Sequence, residues 1–123
     1  MANRTFNRKQ ALEKEVKEIY AEIAIAGSGA PTLTRGTGVA SVAKGTTGVY
    51  TITLQDAYSR LMFADVAVLS ASAQNLNAQL QSQDVSASSK TVVFRTQAAG
   101  AAADPSSGSV LYVKLELKNS SAL

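Results

Sequence analysis

The chain is expected to fold as a mainly β protein, an antiparallel β-sandwich, a jelly roll or another Greek-key form, preceded by a short N-terminal helix or arm. Three observations lead there. From Gly27 onward short β-branched runs alternate with Gly, Ser and Thr punctuation. The closing run Val110–Lys118 sets Leu111, Val113, Leu115 and Leu117 against Tyr112, Lys114, Glu116 and Lys118, the period of a half-buried strand. Between the strand candidates no helical run supplies the crossovers that a parallel sheet needs.

Residues 7–22, NRKQALEKEVKEIYAE, concentrate Lys and Glu without Gly or Pro, a composition that favours helix. Leu12, Val16, Ile19 and Ile23 recur at helical spacing, and Asn7 with Gln10 forms a candidate capping box. Such a stripe packs on its own domain, seeds a short bundle at an oligomer axis, or docks as an arm on a larger assembly. The last turn also alternates: in EIYAEIAIAG, Ile19, Ala21, Ile23 and Ile25 share one side, so a strand beginning near Ile19 is a second reading. The expected division is an N-terminal helix or arm over 1–26 and a sandwich over 27–123.

Gly27–Pro31 reads as a loop, and Thr32–Ala43 as one or two strands broken at Gly36 and Gly38. Gly45–Gly48 turns the chain into Val49–Leu54, where Tyr50, Ile52 and Leu54 face one way and Val49, Thr51 and Thr53 the other, a hairpin signature. Asp56–Arg60 is expected to make a short helical turn. Leu61–Ala71 is apolar on both sides and is expected to be buried on both faces. Leu76–Val85 is a weaker strand and Thr91–Gln97 a stronger one. The small-residue loop AAGAAADPSSGS then turns at Asp104–Gly108 into the final strand.

Composition limits the chemistry. The 123 residues include no Cys and no His, which removes disulfides, thiolate nucleophiles, the commonest zinc, copper and haem ligands and an imidazole base. Twelve Lys and Arg against nine Asp and Glu leave a net charge of +3, but the cations are spread from Arg4 to Lys118 without the patch or stripe of a nucleic-acid binder. MANRTFNRKQ has no apolar run, so no signal peptide is expected, and no segment has the length of a membrane span. Neither nucleic acid nor membrane is an expected partner.

No residue set points to catalysis, a cofactor or a metal. Thr34-Arg35-Gly36-Thr37-Gly38 is glycine-rich but opens no helix, unlike a phosphate-binding loop. Asp56 with Asp65, or Asp84 with Asp104, is a formal carboxylate pair of the glycosidase type, but Asp56 and Asp104 are equally placed to cap turns. Tyr50 and Phe94 fit a core. Tyr112, on the polar face of the last strand, and Tyr58, in a polar turn, are candidate interface residues, together with Leu12, Val16 and Ile19 of the N-terminal stripe.

PTLTRGTGVASVAKGTTGVYTITLQDAYSRL, followed by ADVAVLSASAQ, KTVVFRTQAAGAAADP and VLYVKLELKNSS, resembles small structural proteins of tailed bacteriophages, chiefly head decoration or cement proteins and related fibre proteins. The resemblance spans roughly Pro31 to Ser121 and omits the N-terminal segment. It implies a non-enzymatic virion protein, made in the bacterial cytoplasm, that binds the major capsid protein on the outer shell as a homotrimer and stabilises it. The fibre alternative implies recognition of a bacterial surface receptor.

Overall fold

The computed structural model describes residues 16–71, 75–86 and 88–118. Among the described residues nine strands run in chain order: β1 Val16–Ile25, β2 Pro31–Arg35, β3 Val39–Lys44, β4 Val49–Leu54, β5 Arg60–Leu69, β6 Leu76–Asp84, β7 Thr91–Ala98, β8 Ala101–Ala102 and β9 Val110–Lys118. All pairing is antiparallel. One sheet has the order β2-β1-β9-β5; the other has β3-β4-β7-β6, with β8 added to β7. The two sheets form an antiparallel β-sandwich, the expected fold class.

Strand order within the sandwich differs from the expected jelly roll. In a jelly roll, successive strands mostly pass to opposite sheets. Here β1–β2, β3–β4 and β6–β7 are hairpins within one sheet. Tight turns cause this. Between β3 and β4, the Gly45 N–H donates to Val49 O at 2.8 Å and the Val49 N–H to Thr46 O at 3.0 Å, which returns the chain beside itself.

The N-terminal segment also needs correction. Val16–Ile25 is a strand, paired with β2 on one side and β9 on the other, and Ile19, Ala21, Ile23 and Ile25 are all buried. The alternating pattern overrides the helix propensity of Lys and Glu because two neighbouring strands satisfy the backbone and the core takes every second side chain. The sandwich therefore includes β1, and the boundary expected at residue 26 falls inside it. Leu12 and the helix expected before Val16 lie outside the described residues. Asp56–Arg60 takes bends and the start of β5 instead of a helical turn.

The core lies between the sheets. Strand β1 meets Leu111, Val113, Leu115 and Leu117 of β9, and these face Tyr50, Ile52 and Leu54 of β4 and Val92 and Phe94 of β7. Tyr50 and Phe94 are direct cross-strand partners whose rings stack at 5.6 Å between centroids and 23° between planes.

One end of the sandwich is closed by polar contacts. The Asp104 carboxylate accepts the Gly48 N–H at 2.7 Å and lies 3.4 Å from Lys44 Nζ. The Thr96 hydroxyl donates to Ala103 O at 2.6 Å, and the Thr96 N–H to Gly48 O at 2.7 Å. The Tyr50 hydroxyl donates to Gly29 O at 2.7 Å, fastening the β1–β2 turn to the core.

Burial, with the nearby Asp104 charge adding to it, pushes the Tyr50 phenol up to about 12. The raised value favours the neutral phenol, so this contribution is complete below pH ~10, the unfolded value, and is lost as pH climbs through the folded value. We expect stability of the native chain to fall by roughly 2 kcal/mol relative to Tyr50→Phe as pH climbs from about 10 to about 12. Urea midpoints of the two proteins across that window check it; parallel curves would refute the assignment.

Candidate interaction surface

The outer face of the β2-β1-β9-β5 sheet gathers most of the exposed large apolar side chains, Leu80 of β6 lying on the other sheet. The register builds it row by row. Tyr20, Lys114 and Asp65 align across β1, β9 and β5; Glu22, Tyr112 and Ala67 form the next row. Glu18, Glu116 and Phe63 lie to one side, and Ala24, Val110 and Leu69 to the other. Tyr20 is 59% exposed, Tyr112 45%, Phe63 50% and Leu69 54%. Adjacent rows place Tyr20 and Tyr112 diagonally across the β1–β9 pair, within reach of the same bound group.

A bulge shapes the β5 side. Leu61 pairs with Leu117, but the register slips before Phe63, which pairs with Glu116. The extra residue leaves both Met62 and Phe63 exposed. Only the inner side of β5 is covered by the sandwich, so the expected burial on both faces does not occur within one chain. Its two-sided apolar character has one side facing outward.

Around the tyrosines the charges are paired. The Tyr20 hydroxyl donates to Glu18 Oε2 at 2.7 Å, the same oxygen lies 3.6 Å from Lys114 Nζ, and that ammonium sits 5.9 Å from the Tyr20 ring centroid. The hydrogen bond to Glu18 raises the Tyr20 pKa. Lys114 is also raised, chiefly by the negative charge Tyr20 acquires on ionising, with Glu116 and Glu18 adding to it. Toward β2, Arg35 Nε lies 3.3 Å from Glu22 Oε1.

Two open grooves flank the tyrosine pair. One, of ≈ 370 Å³, runs past Tyr20, Glu22, Arg35, Gly36 and Tyr112. The other, of ≈ 250 Å³, is bounded by Tyr20, Asp65, Ala67, Tyr112 and Lys114. The arrangement offers aromatic area with hydrogen-bonding groups at its margins, the make-up of a protein contact or a sugar platform.

The opposite sheet presents a different outer face. Val49, Thr51, Thr53, Thr91 and Val93 are all half-buried, and Gln97 donates through Nε2 to Gln79 Oε1 at 3.3 Å. Arg95 Nε and Gln97 Oε1 are enclosed there without a hydrogen-bond partner among the described residues.

The interface candidates read from sequence separate on this framework. Tyr112 stands on the outer face. Ile19 and Tyr58 are 1% and 5% exposed and belong to the core; Tyr58 also donates its N–H to Val85 O at 2.9 Å. Val16 is half-buried at the end of β1, opposite Lys118. Tyr20, Phe63 and Leu69 were missed. Tyr20 was legible as the outward member of EIYAEIAIAG once that segment is read as a strand.

The carboxylates do not converge. Asp104 is held by Gly48 and Lys44, Asp84 accepts the Ser89 hydroxyl at 2.9 Å, and Asp65 stands on the outer face. Among the described residues no group of three or more acidic side chains could hold a metal ion. Comparison with known protein families, curated proteins and solved structures finds no match to this chain.

Proposed function

We propose that the chain is a non-enzymatic structural protein of a phage virion, which binds the major capsid protein on the outer shell as a homotrimer and stabilises the assembled lattice. The resemblance of residues 31–121 to head decoration proteins supplies the identity of the partner. The observation that carries the reading is the exposed Tyr20, Tyr112, Phe63 and Leu69 on one sheet face, a set of large side chains suited to burial against another protein. A protein that binds only the assembled shell stabilises it by mass action, and three identical feet multiply a modest contact.

The test is to mix the purified chain with shells stripped of their minor proteins, and to locate it by cryo-electron microscopy. Regular density at three-fold positions, with shells surviving heat better, is the expected result. Tyr20→Ser combined with Tyr112→Ser should weaken shell binding by at least about 30-fold while leaving the circular dichroism unchanged, since interface tyrosines contribute ~2 kcal/mol or more each when central. Undiminished binding by that variant would remove this face from the contact. Density only at a vertex, tail or fibre would overturn the decoration reading.

A second reading, a fibre or tail component that recognises a bacterial surface glycan, is favoured by the two grooves beside the tyrosines, where Glu22, Asp65 and Arg35 are placed to bond sugar hydroxyls. Saturable adsorption of the chain to host cells, lost in the same double variant, would support it.

A further inference from the structure

The two sheets have four edges, and three are guarded. Strand β2 spans only five residues and begins with Pro31, which has no N–H to offer. Strand β3 is broken by a bulge after Val39 and ends in Lys44. Strand β6 carries Asn77, Gln79, Gln81 and Gln83 and is bulged after Leu80. The fourth edge, β5, runs ten residues with no Pro, Gly or Lys, and among the described residues its ladder partner is β9 alone. Beyond the bulge at Met62, the stretch Phe63–Leu69 keeps a regular register and exposes Phe63 and Leu69. A regular, mostly apolar edge stretch of this kind is a template for another strand.

We propose that this edge pairs with β5 of a second copy, antiparallel, about a two-fold axis through Val66, and so joins two sandwiches into one continuous sheet. The register follows from the side chains. With Val66 on the axis and the dyad perpendicular to the sheet, Phe63 lies opposite the second copy's Leu69 on the outer face, and Leu69 opposite its Phe63. Asp65 meets Ala67, and on the inner face Ala64 meets Val68. An axis at Asp65 would set two carboxylates against each other, and an axis at Ala67 would set Asp65 against Leu69; both are unfavourable cross-strand pairs. Of these three axes only the one at Val66 keeps Asp65 away from a carboxylate and from a large apolar side chain while pairing the whole of Phe63–Leu69, and the partner that register fits is this chain itself. Phe63 and Leu69 also belong to the outer face proposed above for shell binding, so self-association is read on the free chain, in the absence of shells.

The absence of cysteine makes the test clean. Phe63→Cys combined with Leu69→Cys places two thiols opposite each other twice across the axis, so mild oxidation of the full chain should give a covalent dimer on a non-reducing gel. Asp65→Cys alone should give little dimer; an efficient Asp65→Cys cross-link would place the axis at Asp65 and overturn the register. Equilibrium sedimentation tests the pairing without cross-linking. Phe63→Lys with Leu69→Lys sets like charges against each other and should weaken self-association roughly tenfold or more, whereas Phe63→Lys with Leu69→Glu opposes unlike charges and should restore it. These positions are exposed, so circular dichroism should be unchanged in both. A native chain that shows no self-association, or one indifferent to both charge variants and without the double-cysteine cross-link, would overturn the proposal.

Discussion

Gly48→Ala is expected to destabilise the sandwich by about 3–5 kcal/mol, enough to unfold a marginal domain. The residue has φ of +75°, where an L side chain costs about 1–2 kcal/mol by itself. A Cβ there would collide with Thr96 O and meet Ala103 O at 3.0 Å, both backbone atoms, so something must move apart. The atoms that would move belong to the contacts closing that end of the sandwich: Thr96 N–H to Gly48 O, Gly48 N–H to Asp104, and the Thr96 hydroxyl to Ala103 O. Gly100→Ala is the matched control. Gly100 has φ of +83° but nothing within 4 Å of its would-be Cβ, so only the conformational cost of ~1 kcal/mol applies. Urea unfolding of the two variants separates the terms, and similar midpoints would show that the close approach at Gly48 is unimportant.

The second large effect is at Phe94. Phe94→Ala is expected to cost about 3–5 kcal/mol, because it removes a ring that is 1% exposed and the stacking partner of Tyr50. A void of ≈ 40 Å³ already adjoins this ring, bounded also by Ala64, Leu80 and Val92, so the truncation enlarges an existing gap that the flanking strands have not closed. Phe94→Leu should recover more than half of the loss. Val93→Ala, one residue along on the outer face, should cost less than about 1 kcal/mol. Denaturant midpoints across the three check the orientation of β7; a Val93 variant as damaging as the Phe94 one would mean the strand is turned over.

Much of this was legible from local pattern. In β4 and β9 the alternation of large apolar side chains with Thr, Lys and Glu states both the strand and its inward face, because one face of each sheet is covered and the other is not. The first strand was less legible. Its Lys and Glu carry helix propensity, while the reason for a strand lies in β9, almost the whole chain away. In β5 the two-sided apolar pattern predicts burial on both faces, but no local signal says whether the second side is covered by the same chain. Asp104 read as a turn residue; its hydrogen bond to Gly48 spans the fold and could not be seen in spacing. The surface tyrosines divided for the same reason: Tyr58 sits in a polar stretch that the fold tucks inside, whereas Tyr112 keeps the outward phase of a clean strand.

The pairing of β1 with β9 also has a mechanical consequence. Val16 lies opposite Lys118, so the start of the first strand and the end of the last meet side by side in the middle of one end of the sheet. A force drawn between these two points acts across the strands and loads the ladder one rung at a time, from Lys118 toward Val110. Hydrogen bonds opened in succession resist far less than a set sheared together. Tension applied between Val16 and Lys118 would peel the centre of this sheet at low load, while the same protein gripped across its faces would hold.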